Sequence, residues 1–490
     1  MKSQIVIFLF LTVGQCFGQI NCTILTSQGA KAPIQNDNFF KALSAANACP
    51  QNIESVNALL DSLFQNRKFL VANRGRNNPK QGSFSFFESY AGKNRNADAD
   101  IFLGHFTHLK NVGGKAVIDL DQSMNKGQLI IELIAWDYSK GYYNFYELIG
   151  QGAYNQWFYR GDSKDIILDN QNIYLSQPAQ FGHRLRCSGC HTSGGPIMKE
   201  LAYPHNDWWI KARPLVFENA QSEHVLKRLR EVDSAENFSI QVQAGMQKLE
   251  ASSQFQMIKK SLSIPVQLRP LFCDLEINIQ SDILPIDNGP IIQIPVASLG
   301  GPFTGRTPIA ISKGSYQALL QKFGLQFPET RHQDADHAWL TPVKGHSDLL
   351  AIASLKAAGL VDDKTILDIY YSAPIGTLMN KDRCQLLKLV PNTRNWRPGF
   401  IQNLKTQNSL IAKALYQRMT DPALTPAAYQ KAIGDWYVQT SRKLGAGDLE
   451  PTFKQLLLNR QSVIESDISK NPKGQILEPG FRVIFPVKRL

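Results

Sequence analysis

The stretch from Arg186 to Leu201 reads Arg-Cys-Ser-Gly-Cys-His-Thr-Ser-Gly-Gly-Pro-Ile-Met-Lys-Glu-Leu, and the rest of the chain is organised around it. Cys187, Cys190 and His191 place two thiols three residues apart, with an imidazole directly after the second thiol. We call residues 187–191 the Cys-His string. Two thiols at this spacing lie on a single turn of the chain, so both can form bonds to the same flat ring system. The imidazole can then bind a metal ion at the centre of that ring system.

A Cys-x-x-Cys-His string is the attachment signature of c-type haem. At this string the sequence resembles the c-type cytochromes. The resemblance implies that Cys187 and Cys190 hold one haem c covalently and that His191 is the proximal ligand of the iron. It extends to Gly194-Gly195-Pro196, which looks like the glycine-containing turn and proline after the proximal His in that family. There a backbone carbonyl fixes the His tautomer, so the resemblance implies an orienting role for Pro196.

The first residues have the pattern of a secretory signal. Lys2 precedes an apolar run from Ile5 to Val13, and small or uncharged residues follow up to Gly18. This run is too short to span a bilayer, so we expect residues 1–18 to be a signal peptide. Cys16 offers a lipoprotein alternative, which Gln15 in front of it disfavours. Because no later stretch is long and apolar enough for a membrane helix, we expect an exported protein of the periplasm or cell exterior.

Export also bears on the cysteines, because exported thiols usually oxidise. Four of the 7 cysteines remain after Cys16 and the two of the string: Cys22, Cys49, Cys273 and Cys384. Four cysteines allow three pairings. We favour the local arrangement, Cys22 with Cys49 and Cys273 with Cys384, with buried thiols as the alternative.

The 490 residues exceed what one hydrophobic core usually serves, and the pattern predicts an α+β protein. Residues 19–180 are expected to form a β-rich domain with an initial helix over Asn38 to Phe64. Arg74 to Asp100 reads as a long surface connection. Short β-branched or aromatic segments then predict strands, with a hairpin loop at Asp137 to Gly141. These strands are Ala116 to Asp121, Leu129 to Trp136, Tyr142 to Leu148, Trp157 to Tyr159 and Asp165 to Leu168.

After the string, apolar residues recur at helical spacing. Residues 181–284 are expected to form a mainly helical, cytochrome c-like haem-attachment region, with helices over Ser222 to Val232 and Ser234 to Leu249. Residues 285–490 are expected to form a mainly helical C-terminal domain, after a linker or small sheet at Gly289 to Pro308. Helices are predicted there from Ser347 to Gly359, from Thr425 and Pro426 onward, and over Leu449 to Arg460.

The other face of the iron decides the chemistry. Methionine there suits electron transfer, a second histidine suits a lower potential, and a vacant position suits peroxide or gas chemistry. Met246, 55 residues after His191, is our prediction for the sixth ligand. Its place on a helical face with Phe238, Val242 and Leu249 fits both a haem wall and an ordinary core residue, and the pattern favours the core residue. The other candidates are Met198, His183, His205, His105 and His108.

A second cluster of possible ligands occurs at His332, Asp334, Asp336 and His337. It could bind a divalent ion, although such runs are usually solvated. The formal charge of +12 becomes about +11 without Lys2, and two haem propionates subtract roughly two more. This basic surface could steer an acidic redox partner protein toward the haem, and the alternative is an effect on solubility or on binding to an anionic surface. Nucleic acid is not an expected partner, because the basic residues are dispersed and no binding motif occurs.

These observations predict an exported mono-haem c-type cytochrome that carries out electron transfer. The alternative is a haem enzyme, a peroxidase or small-molecule oxidase, whose distal site is open. A third interpretation is a binding or structural protein whose cysteines form a disulfide or a zinc site. No phosphate-binding loop or nucleophile elbow supports nucleotide or hydrolase chemistry.

Overall fold

The computed structural model describes residues 22–72, 84–92, 98–106, 108–119, 126–127, 129–168, 187, 191, 193–196, 222–233, 235–273, 276–280, 290–294, 303, 309–323, 339–343, 346–375, 377, 381–445, 448–452 and 454. The expected signal peptide, Cys190 and the run from His332 to His337 lie outside them. The same holds for most of the helix predicted over Leu449 to Arg460.

The N-terminal half is built on an antiparallel six-stranded sheet, which confirms that this half is β-rich. Its strand order is β1-β2-β3-β6-β7-β8. The strands are β1 Phe64–Ala72, β2 Phe84–Gly92, β3 Ile101–Phe106, β6 Leu129–Asp137, β7 Tyr142–Gly150 and β8 Asn155–Asp162. Two further strands, β4 His108–Val112 and β5 Lys115–Asp119, form a separate ribbon. The predicted hairpin loop joins β6 to β7, and Gly141 takes the positive φ of 73° that its turn requires.

The segment predicted as a surface connection contains β2 instead. This strand pairs with β1 on one side and with β3 on the other. Phe86 is buried, and Phe87 stacks on Phe238 at a ring-centroid distance of 5.4 Å. The phenylalanines of this segment therefore belong to an internal strand of the sheet, and Gly75, Pro79, Gly82 and Gly92 misled the prediction.

Side chains alternate between the two faces of the sheet. We call the first the outer face; its residues pack on two N-terminal helices and include Ile101, Leu103, Leu133, Tyr146, Leu148 and Trp157. The second, the string face, contributes Phe102, Ile134, Trp136, Tyr143 and Phe145 to a core cluster that also contains Cys187. The sheet therefore separates two cores, and the string belongs to only one of them.

The initial helix is in fact two helices, α1 Asn38–Ala45 and α2 Ile53–Asp61. Asp37 caps the first by accepting the N–H of Phe40 at 2.7 Å. Asn52 and Ser55 form a capping box at the start of the second. Pro50 in the intervening loop cannot continue a helix, so the prediction of one unbroken helix to Phe64 was wrong.

A second prediction fails directly after β8. Residues 163–168 are helical and form α3, where a strand over Asp165 to Leu168 was expected. Asp162 Oδ1 accepts the N–H groups of Lys164 at 3.1 Å and of Asp165 at 3.2 Å. Asp165 Oδ2 in turn accepts the N–H of Asp162 at 3.1 Å. This reciprocal cap starts a helix where the apolar pair of isoleucines suggested a strand.

The rest of the described chain is mainly helical, as predicted. The helices are α4 Glu223–Arg230, α5 Ala235–Ala251, α6 Ser253–Ser261, α7 Ile264–Phe272, α8 Lys313–Phe323, α9 His346–Ala357, α10 Asp363–Tyr370, α11 Lys381–Gln385, α12 Trp396–Lys405, α13 Leu410–Thr420 and α14 Pro426–Gly445. Two antiparallel strand pairs interrupt them, β9 Glu276–Gln280 with β12 Trp339–Val343 and β10 Ile291–Ile294 with β11 Ile309–Ser312. The second pair confirms the small sheet expected around Gly289 to Pro308.

Both predicted disulfides are present. Cys22–Cys49 closes a sequence separation of 27 residues beside α1 and α2. Cys273–Cys384 closes 111 residues and joins the end of α7 to α11. The local pairing was therefore correct, and the alternative of buried thiols is wrong for these four residues.

The described helices include none that is long and apolar enough to cross a membrane. The cluster around Cys187 also draws residues from the sheet, from α5 to α7, from α8 and from the end of α14. One core is thus shared by the three segments into which the sequence divides the chain.

Candidate functional site

The candidate site is the Cys-His string together with the turn that follows it, residues 193–196. Of these, Cys187, His191 and the turn are described, whereas Cys190 is not. Cys187 is 6% exposed and packs in the core cluster of the string face. His191 is half-buried. The site thus brings a buried thiol and a partly accessible imidazole into one short segment.

Backbone hydrogen bonds hold this segment as consecutive turns. The N–H of His191 donates to the carbonyl of Cys187 at 2.9 Å, and the N–H of Gly194 donates to the carbonyl of His191 at 2.8 Å. Gly194 has a φ of +78°, and a Cβ at this position would lie 2.9 Å from the carbonyl oxygen of Ser163. Only glycine satisfies both the conformation and this close approach.

The imidazole of His191 is fixed by a backbone carbonyl. Its Nδ1 lies 2.7 Å from the carbonyl oxygen of Gly195. A carbonyl only accepts, so Nδ1 carries the hydrogen, and in the neutral ring Nε2 is the unprotonated nitrogen. The edge of His191 also meets the ring of Phe145, with centroids 5.2 Å apart at 68°. These contacts hold the imidazole in a defined orientation.

The carbonyl that fixes His191 belongs to Gly195 and not to Pro196. Pro196 follows directly and is itself buried. A Cβ on Gly245 of α5 would lie 2.9 Å from Pro196 Cγ, so the proline ring packs tightly on that helix. The orienting role predicted for Pro196 therefore falls to its neighbour, with the proline filling the space between the turn and α5.

Ser163 at the start of α3 ties the turn to the sheet. Its hydroxyl donates to the carbonyl of Gly194 at 2.6 Å and accepts the N–H of Tyr143 at 3.0 Å. Tyr143 in turn donates its phenol hydrogen to the carbonyl of Gly245 at 3.1 Å. Burial raises the pKa of Tyr143 well above the usual value, so the phenol keeps the hydrogen that this bond needs.

Helix α5 covers the other side of the turn. A Cβ on Gly195 would lie 2.9 Å from Leu249 Cδ2, which makes the approach of helix and turn as close as glycine permits. Phe238, Val242, Met246 and Leu249 are all buried in the cluster that contains Cys187, so the predicted apolar face of this helix is confirmed. Met246 thus places a thioether in the same apolar surroundings as the string.

The structure sorts the histidine candidates for the sixth ligand. His105 is buried on β3, where it shares its face with Ile101 and Leu103, and it stacks on Phe86 at 6.1 Å. It therefore points into the outer core, with the sheet between it and His191. His108 begins β4, and its side chain lies outside the described residues, as do His183, His205 and Met198.

Neither disulfide includes Cys187. Within the part of the chain that the structure describes, no three His, Cys, Asp or Glu side chains come together as a metal site. The run from His332 to His337 and Cys190 are not part of that search, because they lie outside the described residues.

Sequence reasoning missed the residues that support the string. Ser163, Tyr143 and Phe145 come from strand and helix segments that precede the string by more than 20 residues. Gly245, inside an otherwise regular helix, was the one available signal, because a glycine in a helix interior often marks a close packing contact.

No family model, curated protein or solved structure matches the chain.

Proposed function

We propose that the chain is an exported mono-haem c-type cytochrome. Cys187 and Cys190 hold one haem c, and His191 Nε2 binds its iron. The observation that carries this proposal is the hydrogen bond from His191 Nδ1 to the Gly195 carbonyl, at 2.7 Å. It supports metal ligation because a histidine ligand usually donates its other ring N–H to a carbonyl or carboxylate.

The described surroundings fit this cofactor. The side chains clustered with Cys187 are apolar and suit the flat, apolar faces of a porphyrin. Phe145 and the Gly195 carbonyl hold the ring of His191, so little reorientation is needed when a metal binds. Ser163 and Tyr143 hold the turn against the sheet and helix α5. When bound, a haem supplies a one-electron couple whose potential depends on its axial ligands and its burial.

Two further observations support export and the choice of partner. Both predicted disulfides form, and disulfides persist mainly outside the cytoplasm. The formal charge of +12 favours an acidic redox partner. We expect the rate of electron exchange with such a partner to fall as ionic strength rises, because salt screens long-range attraction.

The experiment is an intact-mass measurement on the chain matured in a host that attaches c-type haem, together with visible spectra of both oxidation states. We expect the mass of one covalent haem and a low-spin spectrum that carbon monoxide leaves unchanged. The double variant Cys187→Ala with Cys190→Ala is the control and should carry no haem mass. A wild-type chain with the bare mass would overturn the proposal. A haem that binds carbon monoxide would instead favour the peroxidase or oxidase alternative.

A further inference from the structure

The side chain of Lys248 on α5 ends among three residues of the sheet side. Its Nζ lies 2.5 Å from Asp100 Oδ1, 4.5 Å from the ring centroid of Trp136 and 5.2 Å from that of Tyr138. We call Asp100, Trp136 and Tyr138 the ammonium box. A carboxylate and the faces of aromatic rings both attract an alkylammonium ion. Lys248 therefore connects α5 to the sheet through its charge.

Hydrogen bonds and ring contacts hold the ammonium box in shape. The N–H of Trp136 donates to the Asp100 carbonyl at 2.8 Å, and the Tyr138 hydroxyl donates to Asp100 Oδ2 at 2.7 Å. Trp136 also lies opposite Tyr143 in the pairing of β6 with β7, and their ring centroids are 4.9 Å apart. The Lys248 side chain is 20% exposed and that of Asp100 is 10% exposed. The ammonium thus has a defined and largely shielded position.

This contact lies on the part of α5 that meets the turn after the string. Lys248 and Leu249 follow Gly245 by three and four residues, so all three lie on one side of the helix. Pro196 packs on Gly245, and a Cβ on Gly195 would lie 2.9 Å from Leu249 Cδ2. The ammonium box therefore holds α5 within one helical turn of both contacts with the string segment.

Apolar packing alone does not define where α5 lies along the sheet. Phe238, Val242 and Met246 are buried in the cluster of the string face, and the hydrophobic effect is non-directional. The ammonium, in contrast, fits between one carboxylate and two rings in one place only. We propose that Lys248 is a positioning residue, which fixes α5 on the sheet and keeps Met246 beside Cys187. The consequence for the iron rests on the proposed function, whereas the burial of Cys187 does not.

The first test measures access to Cys187 in a chain that carries no haem. It uses the full chain with Cys190→Ala, made without haem attachment, and follows alkylation of the Cys187 thiol by peptide mass. Lys248→Leu removes the charge, so we expect alkylation to become about five- to thirtyfold faster. Lys248→Arg keeps a cation and should restore most of the protection. Lys431→Leu removes an exposed ammonium on α14 and is the matched control, which should leave the rate unchanged.

A second measurement separates the ammonium box from a general loss of stability. Lys248→Ala removes the atoms of n-propylammonium, so this ion should slow the alkylation of Cys187 again. The neutral 1-propanol has nearly the same size and should not. Hydrogen exchange of Lys248→Leu should become faster in α5 and stay unchanged in α1, which packs on the outer face. The role of Lys248 is refuted if its loss leaves the alkylation rate unchanged, or if α1 and α5 lose protection equally.

The chain matured with haem gives the last readout. Intact mass shows whether haem is attached, so a failure of the proposed function is seen separately from a failure of the alkylation test. In the haem-loaded chain, Lys248→Leu should lower the reduction potential, because water admitted beside the iron stabilises its more highly charged oxidised state. Lys431→Leu should not change the potential. An unchanged potential in haem-loaded Lys248→Leu would refute the consequence for the iron.

Discussion

The hydroxyl of Ser163 gives the sharpest test of how the string is held. Ser163 is fully buried, and its Oγ joins the Gly194 carbonyl to the N–H of Tyr143. Ser163→Ala removes both bonds and leaves two buried backbone groups unpaired. Each unpaired group costs about 1–3 kcal/mol, so we expect a loss of about 2–4 kcal/mol of unfolding free energy after partial relaxation.

Ser372→Ala is the matched control for this change. Ser372 is also buried, but its hydroxyl makes one local bond, to the carbonyl of Ile369 at 2.8 Å. Its loss should cost about 1 kcal/mol. Urea unfolding of both variants measures the difference, and hydrogen exchange reports the Tyr143 amide directly. If Ser163→Ala costs no more than Ser372→Ala, or the Tyr143 amide keeps its protection, the bridging role is refuted.

Three further predictions concern the iron, a disulfide and a buried acid. Met246→Leu removes a thioether at nearly constant side-chain volume, so it should lower the unfolding free energy by less than about 1.5 kcal/mol. If Met246 is the sixth ligand, the variant should also bind carbon monoxide at the iron. A visible spectrum that carbon monoxide leaves unchanged would make Met246 an ordinary core residue. Replacing Cys273 and Cys384 by alanine should lower the unfolding free energy by about 4.8 kcal/mol, because the unfolded chain regains the entropy of a 111-residue loop. Replacing Cys22 and Cys49 opens a 27-residue loop and should cost about 3.6 kcal/mol. Urea midpoints that rank the two variants in the reverse order would contradict this. Burial raises the pKa of Asp37 despite hydrogen bonds from Tyr146 and Asn144, so the folded state holds its proton to higher pH than the unfolded state. The stability from this group should therefore fall as pH rises from the ordinary carboxyl range through the raised value, and Asp37→Asn should remove that slope.

Much of the secondary structure followed from local patterns. The strands β6 and β7 and the helices α4 and α5 lie close to where alternation and caps predicted them. Both cysteine pairings were also predicted correctly. For the strands and helices the deciding signal lies within the segment, and for the cysteines it is the preference of each cysteine for its neighbour in the sequence.

The failures have a local cause that hydrophobic pattern does not reveal. Asp162 and Asp165 cap each other across the start of α3, which outweighs the strand preference of Ile166 and Ile167. The chain leaves the first helix at Ala46 and starts the second after Asn52, even though apolar spacing continues through the loop that contains Pro50.

The candidate site was predictable only in its chemistry. The string identifies two thiols and an imidazole, and the glycines after it signal a tight turn. The supporting contacts are long-range, such as the one from Tyr143 to Gly245, which spans 102 residues. Contacts at such separations leave no periodic trace in the sequence, so only the fold reveals that β7 and α5 enclose the turn.

The position of Cys187 also sets an order of events during maturation. Cys187 is only 6% exposed, and it is surrounded by the sheet and by helices that follow it in the chain. Once these helices have packed on the sheet, reagents and enzymes have little access to its thiol. We therefore expect covalent chemistry at this sulfur to be faster while the polypeptide is still open, before the downstream helices dock. The timing of assembly, as much as the final arrangement, then decides how readily this sulfur can be modified.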